Sequence, residues 1–594
     1  MRYLALCCDY DGTLATDGRL LPETVDALER LIASGRRLIM VTGRELDDLQ
    51  GVCERLDLFE YVVAENGALL YQPSTRAEKT LAPRPSDEFA ARLRSQGVER
   101  VSQGRVIVAT WEPWEAVVLE TIREMGLELQ VIFNKGAVMV LPAGVNKATG
   151  LACALEALGL SAHNAIAIGD AENDHALLRS CEFSVAVSNA LPKLKEAADF
   201  VTKRDHGGGV VELIDAILKD DLASFEPRLE RHHVLLGTAE GGQEEVKLPP
   251  HGQNVLLVGT SGSGKSTLTT GFLERLAEQR YTFCLIDPEG DYDTFADAIS
   301  IGTPTRPPSI DEIVQLLAKP HASCIANIVG LPIADRPGFF ASLAPRLQEL
   351  RAKSGRPHWI VIDEAHHLLP AEWQPGPLAL PDKLSGVWQV TVHPDLIAPK
   401  ALEDVTTLIA VGKQPVAAFQ EFSSVVKQAA PQLDEVQLAP GEAILWPVAT
   451  RDKPRRLKIA PSHTERRRHT RKYAEGELAP EQSFYFRGPQ NKLKLRAYNL
   501  ILFLQMADGV DEETWTHHLK RGDYSDWIRH AIKDDGLADQ IKAVEQNDAL
   551  PAEQSLRAIK EAIEQRYTLP AAASPPDTPK ASKQEGSAKA GRPS

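Results

Sequence analysis

The sequence has no long apolar run and few cysteines, and its charge balance is not basic. Within its 594 residues no stretch approaches the ~18 consecutive apolar residues of a membrane span. The seven cysteines form no C-x-x-C pair, and Cys7, Cys8 and Cys284 lie inside apolar runs, as reduced core residues do. The first apolar run ends at Asp9 and is too short for a signal peptide. We therefore expect a cytoplasmic protein with no membrane partner.

The composition is that of a globular chain with several cores. Hydrophobic residues make up 43% of the chain and charged residues 25%. The length predicts roughly three to five domains. A formal net charge of -16 gives no overall attraction to nucleic acid, although a local basic surface could still bind it.

One loop has the full spacing of a phosphate-binding motif, G-x-x-x-x-G-K-S. It consists of Gly259, Thr260, Ser261, Gly262, Ser263, Gly264, Lys265, Ser266 and the following Thr267. An apolar run, 255–258, precedes it and a helical pattern follows it, which is the context that the motif requires. Backbone N–H groups and the helix N-terminus would bind the phosphates of ATP. Lys265 would reach the terminal phosphates, and the Ser266 hydroxyl would bind Mg²⁺.

A second apolar run ends in two acids about 100 residues after this loop. Residues 359–362 form the predicted strand, and Asp363 and Glu364 follow it. We assign Asp363 to the metal of the nucleotide site and Glu364 to the general base that polarises the attacking water. The alternative is an ordinary helix N-terminus, where acids are favourable.

The first 215 residues alternate strands and helices, which predicts a parallel, doubly wound sheet. Chemical groups follow the predicted strands, where open sheets of this kind bind ligands. Asp9 is placed to attack phosphorus and Asp11 to protonate the leaving oxygen. Thr42 and Lys147 would hold the phosphate oxygens. Asp170, with Asp9 and the backbone carbonyl of Asp11, suits Mg²⁺.

These motifs resemble those of the haloacid-dehalogenase superfamily. The matching segments are D-x-D-G-T at 9–13, T-G-R at 42–44, Lys147 and G-D-x-x-N-D at 169–174, whose last residue, Asp174, we place at the metal site. Segments 185–190 and 197–202 fit the family's closing region. The resemblance implies a phosphatase core at 1–72 and 144–215 and an α+β cap at 73–143, as in the branch with sugar-phosphate phosphatases. A core that acts as a non-catalytic sensor stays open as an alternative.

Within the cap, Arg105 and Lys135 are candidate anion contacts. A solvated loop charge is the alternative for each of them.

Residues 232–460, after a linker at 216–231, resemble HerA/FtsK-like ATPases. The I-D-P-E-G-D-Y segment at 286–292 and a predicted hairpin at 233–248 carry the resemblance. It implies ATP hydrolysis by a homo-oligomeric ring, a hexamer in that family, with DNA as a candidate partner. Relatives often have a glutamine near the position of His393, whereas here Gln389 comes earlier. Arg346 and Arg351 are candidates for the arginine that one subunit of a ring supplies to the next.

The last part of the chain begins with a basic segment. Between 451 and 472 it has ten Lys and Arg residues against two acids (Arg451, Lys453, Arg455, Arg456, Lys458, Arg466, Arg467, Arg468, Arg471, Lys472). It could bind nucleic acid or another polyanion, or be a solvated linker, which we place at 461–482. A small helical domain at 483–568 follows, with Trp515, His518, Leu519 and Trp527 as predicted core. Composition predicts a disordered tail at 569–594.

The expected fold class is therefore α/β, with two doubly wound parallel-sheet domains, a cap, a small helical domain and a tail. The leading functional hypothesis is a Mg²⁺-dependent phosphomonoesterase fused to a ring-forming ATPase that acts on nucleic acid or a phosphorylated polymer. The alternative is a metabolic sugar-phosphate or nucleotide phosphatase that ATP regulates.

Overall fold

The computed structural model describes residues 1–242, 244–260, 262–293, 295–372, 385–433, 436–463, 478, 482–532, 534–547 and 549–567. The chain divides into two compact units, 1–464 and 465–594. Ser261, the tail at 569–594 and most of the basic linker lie outside the described residues. No described helix has the length and apolar character needed to cross a bilayer.

An eight-stranded sheet forms the first domain, as the alternating pattern predicts. Its spatial order is Phe200–Val201, Phe183–Ala186, Ala165–Gly169, Ala5–Cys8, Arg37–Val41, Tyr61–Ala64, Leu69–Gln72 and Ala77–Thr80. The first six strands are parallel and the last two are antiparallel. Every residue of Ala5–Cys8 and Ala165–Gly169 is buried, because parallel strands have helices on both faces. The helices are Pro22–Ala33, Leu46–Val52, Lys147–Ala157, His175–Ser180, Pro192–Ala197 and His206–Asp220.

Two boundaries of this domain differ from the predicted ones. Ala77–Thr80 pairs with Leu69–Gln72 in the core sheet, so the cap begins after residue 80 and not at 73. The helix His206–Asp220 continues past the predicted domain end at 215 into the predicted linker. Pro73, at the first predicted boundary, lies in the turn between these two strands and does not end the sheet. No glycine or proline interrupts the helix between residues 210 and 220.

The cap is a four-stranded antiparallel sheet with two helices on it. Its order is Ser102–Gln103, Val108–Trp111, Ala137–Pro142 and Leu129–Asn134, and its helices are Asp87–Ser95 and Glu115–Glu124. The cap has a separate hydrophobic core, which includes Phe89, Leu93, Val118 and Val140. It is joined to the phosphatase core by Glu65, a buried carboxylate that accepts N–H groups from Arg105, Val106 and Ile107 at 2.7, 2.7 and 2.9 Å.

The second domain contains an eleven-stranded mixed sheet. Its order is Glu245–Leu248, Val234–Ala239, Arg455–Ile459, Glu442–Pro447, Thr407–Val411, Asn254–Val258, Val387–Thr391, Trp359–Ile362, Phe283–Asp287, Cys324–Asn327 and Ile299–Ile301. The last seven are parallel, whereas the first four form an antiparallel extension that the predicted doubly wound sheet lacks. The predicted hairpin before the phosphate loop is confirmed. The helices are Lys265–Glu278, Ile310–Ala318, Arg336–Ser354, Pro399–Leu402 and Pro415–Val425.

The second unit is a helical domain with one small hairpin. Phe484–Phe486 pairs with Leu495–Ala497, and the helices are Leu500–Ala507, Glu512–Arg521, Asp523–Trp527, Asp535–Glu545 and Ala552–Tyr567. Trp515, His518, Leu519 and Trp527 are buried, which confirms the predicted core.

Candidate active sites

The carboxyl ends of the central strands of the first domain bring together the predicted phosphatase residues. Asp9 and Asp170 follow neighbouring parallel strands, Ala5–Cys8 and Ala165–Gly169. Thr42 follows the strand on the other side of Ala5–Cys8 and is buried. Gly12 occurs in the D-x-D-G-T turn with φ 84°, where an added Cβ would lie 2.4 Å from Asp170 Oδ2. The turn thus allows the backbone to approach the second carboxylate closely.

Lys147 joins two of the acids. Its Nζ donates to Asp9 Oδ1 at 2.6 Å and to Asp174 Oδ1 at 2.7 Å, and all three side chains are buried. The lysine is the first residue of a helix that Asn146 caps, which fixes its direction. Although burial lowers the pKa of Lys147, the carboxylates of Asp174 and Asp9 outweigh that effect and raise it. The lysine is therefore a permanent cation at the nucleophile.

Asp174 is in the acidic cluster, but its oxygens have other partners. Oδ2 accepts the N–H groups of Asp170 and Ala171 at 2.9 and 3.0 Å, and Oδ1 accepts from Lys147. These contacts orient the loop that carries Asp170 and hold the lysine. We infer that Asp174 positions the site and that Asp9 and Asp170 supply the carboxylates closer to a metal.

Asp11 is held by Arg44, the last residue of the T-G-R motif, a contact that the motif alone did not predict. Arg44 Nε and Nη2 donate to its two carboxylate oxygens at 2.6 and 2.7 Å. The guanidinium also pairs with Asp48. Planar, bidentate pairing of this kind fixes a carboxylate in orientation as well as in charge.

The cluster fits a divalent cation. Asp9, Asp170 and Asp174 each place an oxygen within 4.8 Å of the others. Burial, reinforced by Asp174 and opposed by Lys147, raises the pKa of Asp9 to about 8. Burial also raises the pKa of Asp170, against the effect of Lys135. This surplus of buried negative charge, from hard oxygen ligands, is what Mg²⁺ would offset.

The two cap cations differ. Arg105 is bound to Asp47, with nitrogen–oxygen distances of 2.7 and 2.9 Å, and to Glu78 at 3.1 Å, so it has a structural role. Lys135 Nζ, in contrast, is 2.8 Å from both the backbone oxygen of Asp11 and Asp170 Oδ2.

The nucleotide loop lies between Asn254–Val258 and the helix Lys265–Glu278, as predicted. Lys265 Nζ donates to Gly259 O at 2.7 Å and to Thr260 O at 3.3 Å, so the lysine is folded back onto its own loop. Ser266 is buried at the start of the helix. Gly262 and Gly264 have φ values of 77° and 100°, which the turn requires.

Asp363 and Glu364 follow the strand Trp359–Ile362, which one strand, Val387–Thr391, separates from the loop strand. Asp363 is buried and lies next to Asp287, whose pKa rises to about 7 through burial and the charge of Asp363. Glu364 has φ 44°, a left-handed conformation rare for a non-glycine residue, and its Oε2 is 3.5 Å from His366 Nδ1. His366 has a pKa lowered to about 4 by burial and by its neighbours His367 and Lys265. The acids and the phosphate loop therefore share one edge of the sheet.

The I-D-P-E-G-D-Y segment is organised by its first acid. Asp287 accepts the N–H groups of Glu289, Gly290 and Tyr292 at 3.0, 2.8 and 2.9 Å. Gln389 donates to Ala401 O and His393 contacts Glu421, so each has a partner in its own vicinity.

The two candidate arginines also have local partners. Arg346 pairs with Asp311 at the surface. Arg351 donates to the carbonyls of Pro357, His358 and Ser385.

Comparisons with known proteins agree with the first site. The profile of haloacid dehalogenase-like hydrolases matches residues 6–104 and 116–214. Phosphoglycolate phosphatase 2 of Saccharolobus solfataricus is 31% identical over 220 residues, which are 36% of this chain and 92% of that protein. The chain belongs to the haloacid dehalogenase-like hydrolases. The phosphoglycolate phosphatase of Methanothermobacter thermautotrophicus is 33% identical over 215 residues, 35% of this hydrolase and 96% of the relative.

One solved structure and a second profile complete the comparison. A haloacid dehalogenase-like hydrolase from Bacteroides thetaiotaomicron aligns with 20% identity and a TM-score of 0.32, and covers 36% of this chain and 99% of its own. An AAA-domain profile matches residues 250–379 of the hydrolase, which include the phosphate loop and Asp363. The second domain is thus of the P-loop ATPase type. Its finer assignment to the HerA/FtsK-like group stays a prediction.

Proposed function

We propose that the first domain is a Mg²⁺-dependent phosphomonoesterase that works through an aspartyl-phosphate on Asp9, and that the second domain hydrolyses ATP. The observation that supports the first activity best is the buried Asp9–Lys147–Asp174 chain beside Asp170. It places a nucleophilic carboxylate next to a fixed cation in a site with surplus negative charge.

In the first half-reaction, an Asp9 carboxylate oxygen attacks phosphorus and the bond from phosphorus to the leaving oxygen breaks. Lys147 and Thr42 hold the phosphate oxygens, and Asp11 gives its proton to the leaving oxygen. In the second, Asp11 takes a proton from the water that attacks the aspartyl-phosphate, which regenerates Asp9. Asp9, Asp170 and the Asp11 carbonyl would hold Mg²⁺, which would supply charge neutralisation of the phosphate. Because Arg44 holds the Asp11 carboxylate, Asp11 must leave this ion pair to act.

The comparisons favour a small substrate over a polymer. The two relatives named above are phosphoglycolate phosphatases, and this chain spans more than nine-tenths of the length of each. We therefore propose a small phosphorylated acid as the substrate. The ATPase, with Lys265 and Ser266 on the nucleotide, Asp363 at its metal and Glu364 as base, would then regulate this activity.

A panel of phosphomonoesters, assayed with and without ATP, tests both activities. We expect Asp9→Asn to lose phosphatase activity and keep ATP turnover, and Lys265→Ala to do the reverse. Asp17→Asn, an exposed aspartate in the same loop region, is the matched control and should change neither rate. Phosphatase activity that persists in Asp9→Asn would rule out Asp9 as the nucleophile.

A second candidate function is a ring motor on nucleic acid, which the hairpin at 234–248 and the basic segment favour. The measurement is ATP turnover with added duplex DNA, together with the mass of the particle in ATP and Mg²⁺ by light scattering. Reversal of charge at Arg466, Arg467 and Arg468 should abolish DNA stimulation. A monomer that DNA leaves unstimulated would exclude the motor.

A further inference from the structure

Lys135 is the only lysine between residues 81 and 143, and the fold brings it to the phosphatase site. It lies in the two-residue turn between Leu129–Asn134 and Ala137–Pro142, whose last pair is Asn134 with Ala137. Lys135 and Gly136 have φ values of 48° and 85°, a turn of type I′. Glycine, asparagine or aspartate is the common choice for the first of these positions, so a lysine there has a backbone cost.

The ammonium of Lys135 occupies the position that the metal ligands define. Its Nζ is 2.8 Å from Asp11 O and 2.8 Å from Asp170 Oδ2, and both groups are among those that we assign to Mg²⁺. Mg²⁺ requires its oxygen ligands at about 2.0–2.1 Å in a near-octahedral arrangement. The same two oxygens cannot hold both cations, so Lys135 must move when the metal binds.

The turn limits how far Lys135 can move. Backbone pairs fix both of its ends, while the lysine stem is flexible and the side chain is 48% exposed. The displacement is therefore a movement of the Lys135 side chain and not of the turn that carries it. The second candidate anion contact of the cap, Arg105, is already bound to Asp47 and Glu78.

We propose that Lys135 is a substrate-positioning residue, which rests on the metal ligands in the free enzyme and binds a second anionic group of the substrate once the metal displaces it. The substrate class is a phosphomonoester whose alcohol portion carries a carboxylate close to the phosphate. This inference rests on the proposed phosphatase function and narrows it.

Two compounds of similar size isolate this role, 2-phosphoglycolate and ethyl phosphate, because only the first has a carboxylate. In Lys135→Met we expect KM for 2-phosphoglycolate to rise about 10- to 100-fold, as for the loss of one charge-assisted hydrogen bond, with ethyl phosphate unchanged. Lys135→Arg should restore part of the preference. Lys193→Met removes an exposed lysine of the core and should alter neither KM.

Calorimetry of Mg²⁺ binding without nucleotide gives a readout independent of turnover. Lys135→Met should bind Mg²⁺ several-fold more tightly, because the competing ammonium is gone. Asp170→Asn identifies the heat that belongs to this site. A wild type that hydrolyses no phosphomonoester of the panel overturns the phosphatase function and this inference with it, whereas one that hydrolyses other members but not 2-phosphoglycolate overturns this inference alone. Equal effects on both compounds, or unchanged KM and Mg²⁺ affinity in Lys135→Met, overturn the role of Lys135 alone.

Discussion

At the scale of single residues, the main feature is an imbalance of buried charge around Asp9. One lysine serves two carboxylates, and a third, Asp170, has a half-exposed lysine as its partner. Burying more carboxylates than cations is costly, and burial together with the charge of Asp174 raises the pKa of Asp9 to about 8 despite Lys147. Metal binding and proton binding are therefore expected to compete there.

The consequence is a pH-dependent response to Mg²⁺. The pKa of Asp9 in the folded protein lies above its ordinary value of 3.8. Protonated Asp9 therefore contributes its full stabilisation below pH 3.8, and this stabilisation is lost as the pH rises through about 8. We expect Mg²⁺ to raise Tm more at pH 8.5 than at pH 6. At pH 7 binding should release close to one proton, measured by calorimetry in buffers of different ionisation enthalpy.

Two variants control that experiment. Asp9→Asn has no carboxyl group to lose a proton, so proton release should disappear, whereas Asp17→Asn should behave as wild type. Equal Mg²⁺ stabilisation at both pH values would contradict the raised pKa of Asp9.

At the scale of elements, Glu65 joins the cap to the core. This glutamate is fully buried in a left-handed turn, φ 51°, and accepts three consecutive backbone N–H groups of residues 105–107. No spacing rule singled it out, because its partners are about 40 residues away. In the sequence, the E-N-G triplet at 65–67 is the one local feature that could have indicated an unusual turn at Glu65. In the structure all three of its residues have positive φ values.

Glu65→Gln should weaken this joint. The amide group would turn an N–H donor toward backbone donors and leave at least one of them unpaired, at a cost of about 1–3 kcal/mol. Amide hydrogen exchange at residues 105–107 should become about 10- to 100-fold faster, and Tm should fall. Glu78→Gln, which alters an exposed partner of Arg105, should cost less than 1 kcal/mol. Unchanged amide hydrogen exchange at residues 105–107 in Glu65→Gln would show that Glu65 does not hold the cap to the core.

At the scale of the molecule, the phosphatase core and the ATPase meet at Glu182. This buried carboxylate accepts from Arg2 at 2.7 Å and from Tyr281 OH of the ATPase at 2.8 Å, and it contacts His163 Nδ1 at 2.6 Å. His163 Nε2 is 2.7 Å from the carbonyl of Gln279, next to the end of the helix that starts at the phosphate loop. One helix therefore has the nucleotide site at its first turn and the phosphatase core beyond its last.

Removal of the Glu182 charge should loosen this contact. Burial alone would raise the pKa of Glu182, but His251 and His163 hold it well below its usual range, so the carboxylate is ionised at pH 7. Its contribution is present above about pH 4.5 and is lost as pH falls through the lowered value. Glu182→Gln should destabilise the protein by about 3–5 kcal/mol at pH 7, because Arg2 loses its buried counter-charge.

Scanning calorimetry measures this effect, and we expect the first unfolding transition of Glu182→Gln to occur at a lower temperature than that of the wild type. Glu230→Gln, an exposed acid of the linker, is the control and should match wild type. A Glu182→Gln protein as stable as wild type would show that the cluster does not hold the two domains together.

The sequence by itself determined the local chemistry. The spacing of the acidic motifs and of the phosphate loop is fixed by a strand followed by a turn. The sequence therefore predicted that Asp9, Asp170 and Asp363 follow strands and that Lys265 begins a helix, as they do in the structure. Burial of the strands followed from their apolar runs.

Only the tertiary structure decided which distant groups share each site. Arg44 on Asp11, Lys135 on the metal ligands, Glu65 on the cap loop and Glu182 on Tyr281 each join residues between 33 and 124 positions apart. Linear spacing has no information on such pairs, because they depend on where strand order and cap orientation bring separate loops. The sequence thus specified which functional groups are available, and the packing of its elements specified which of these groups contact one another.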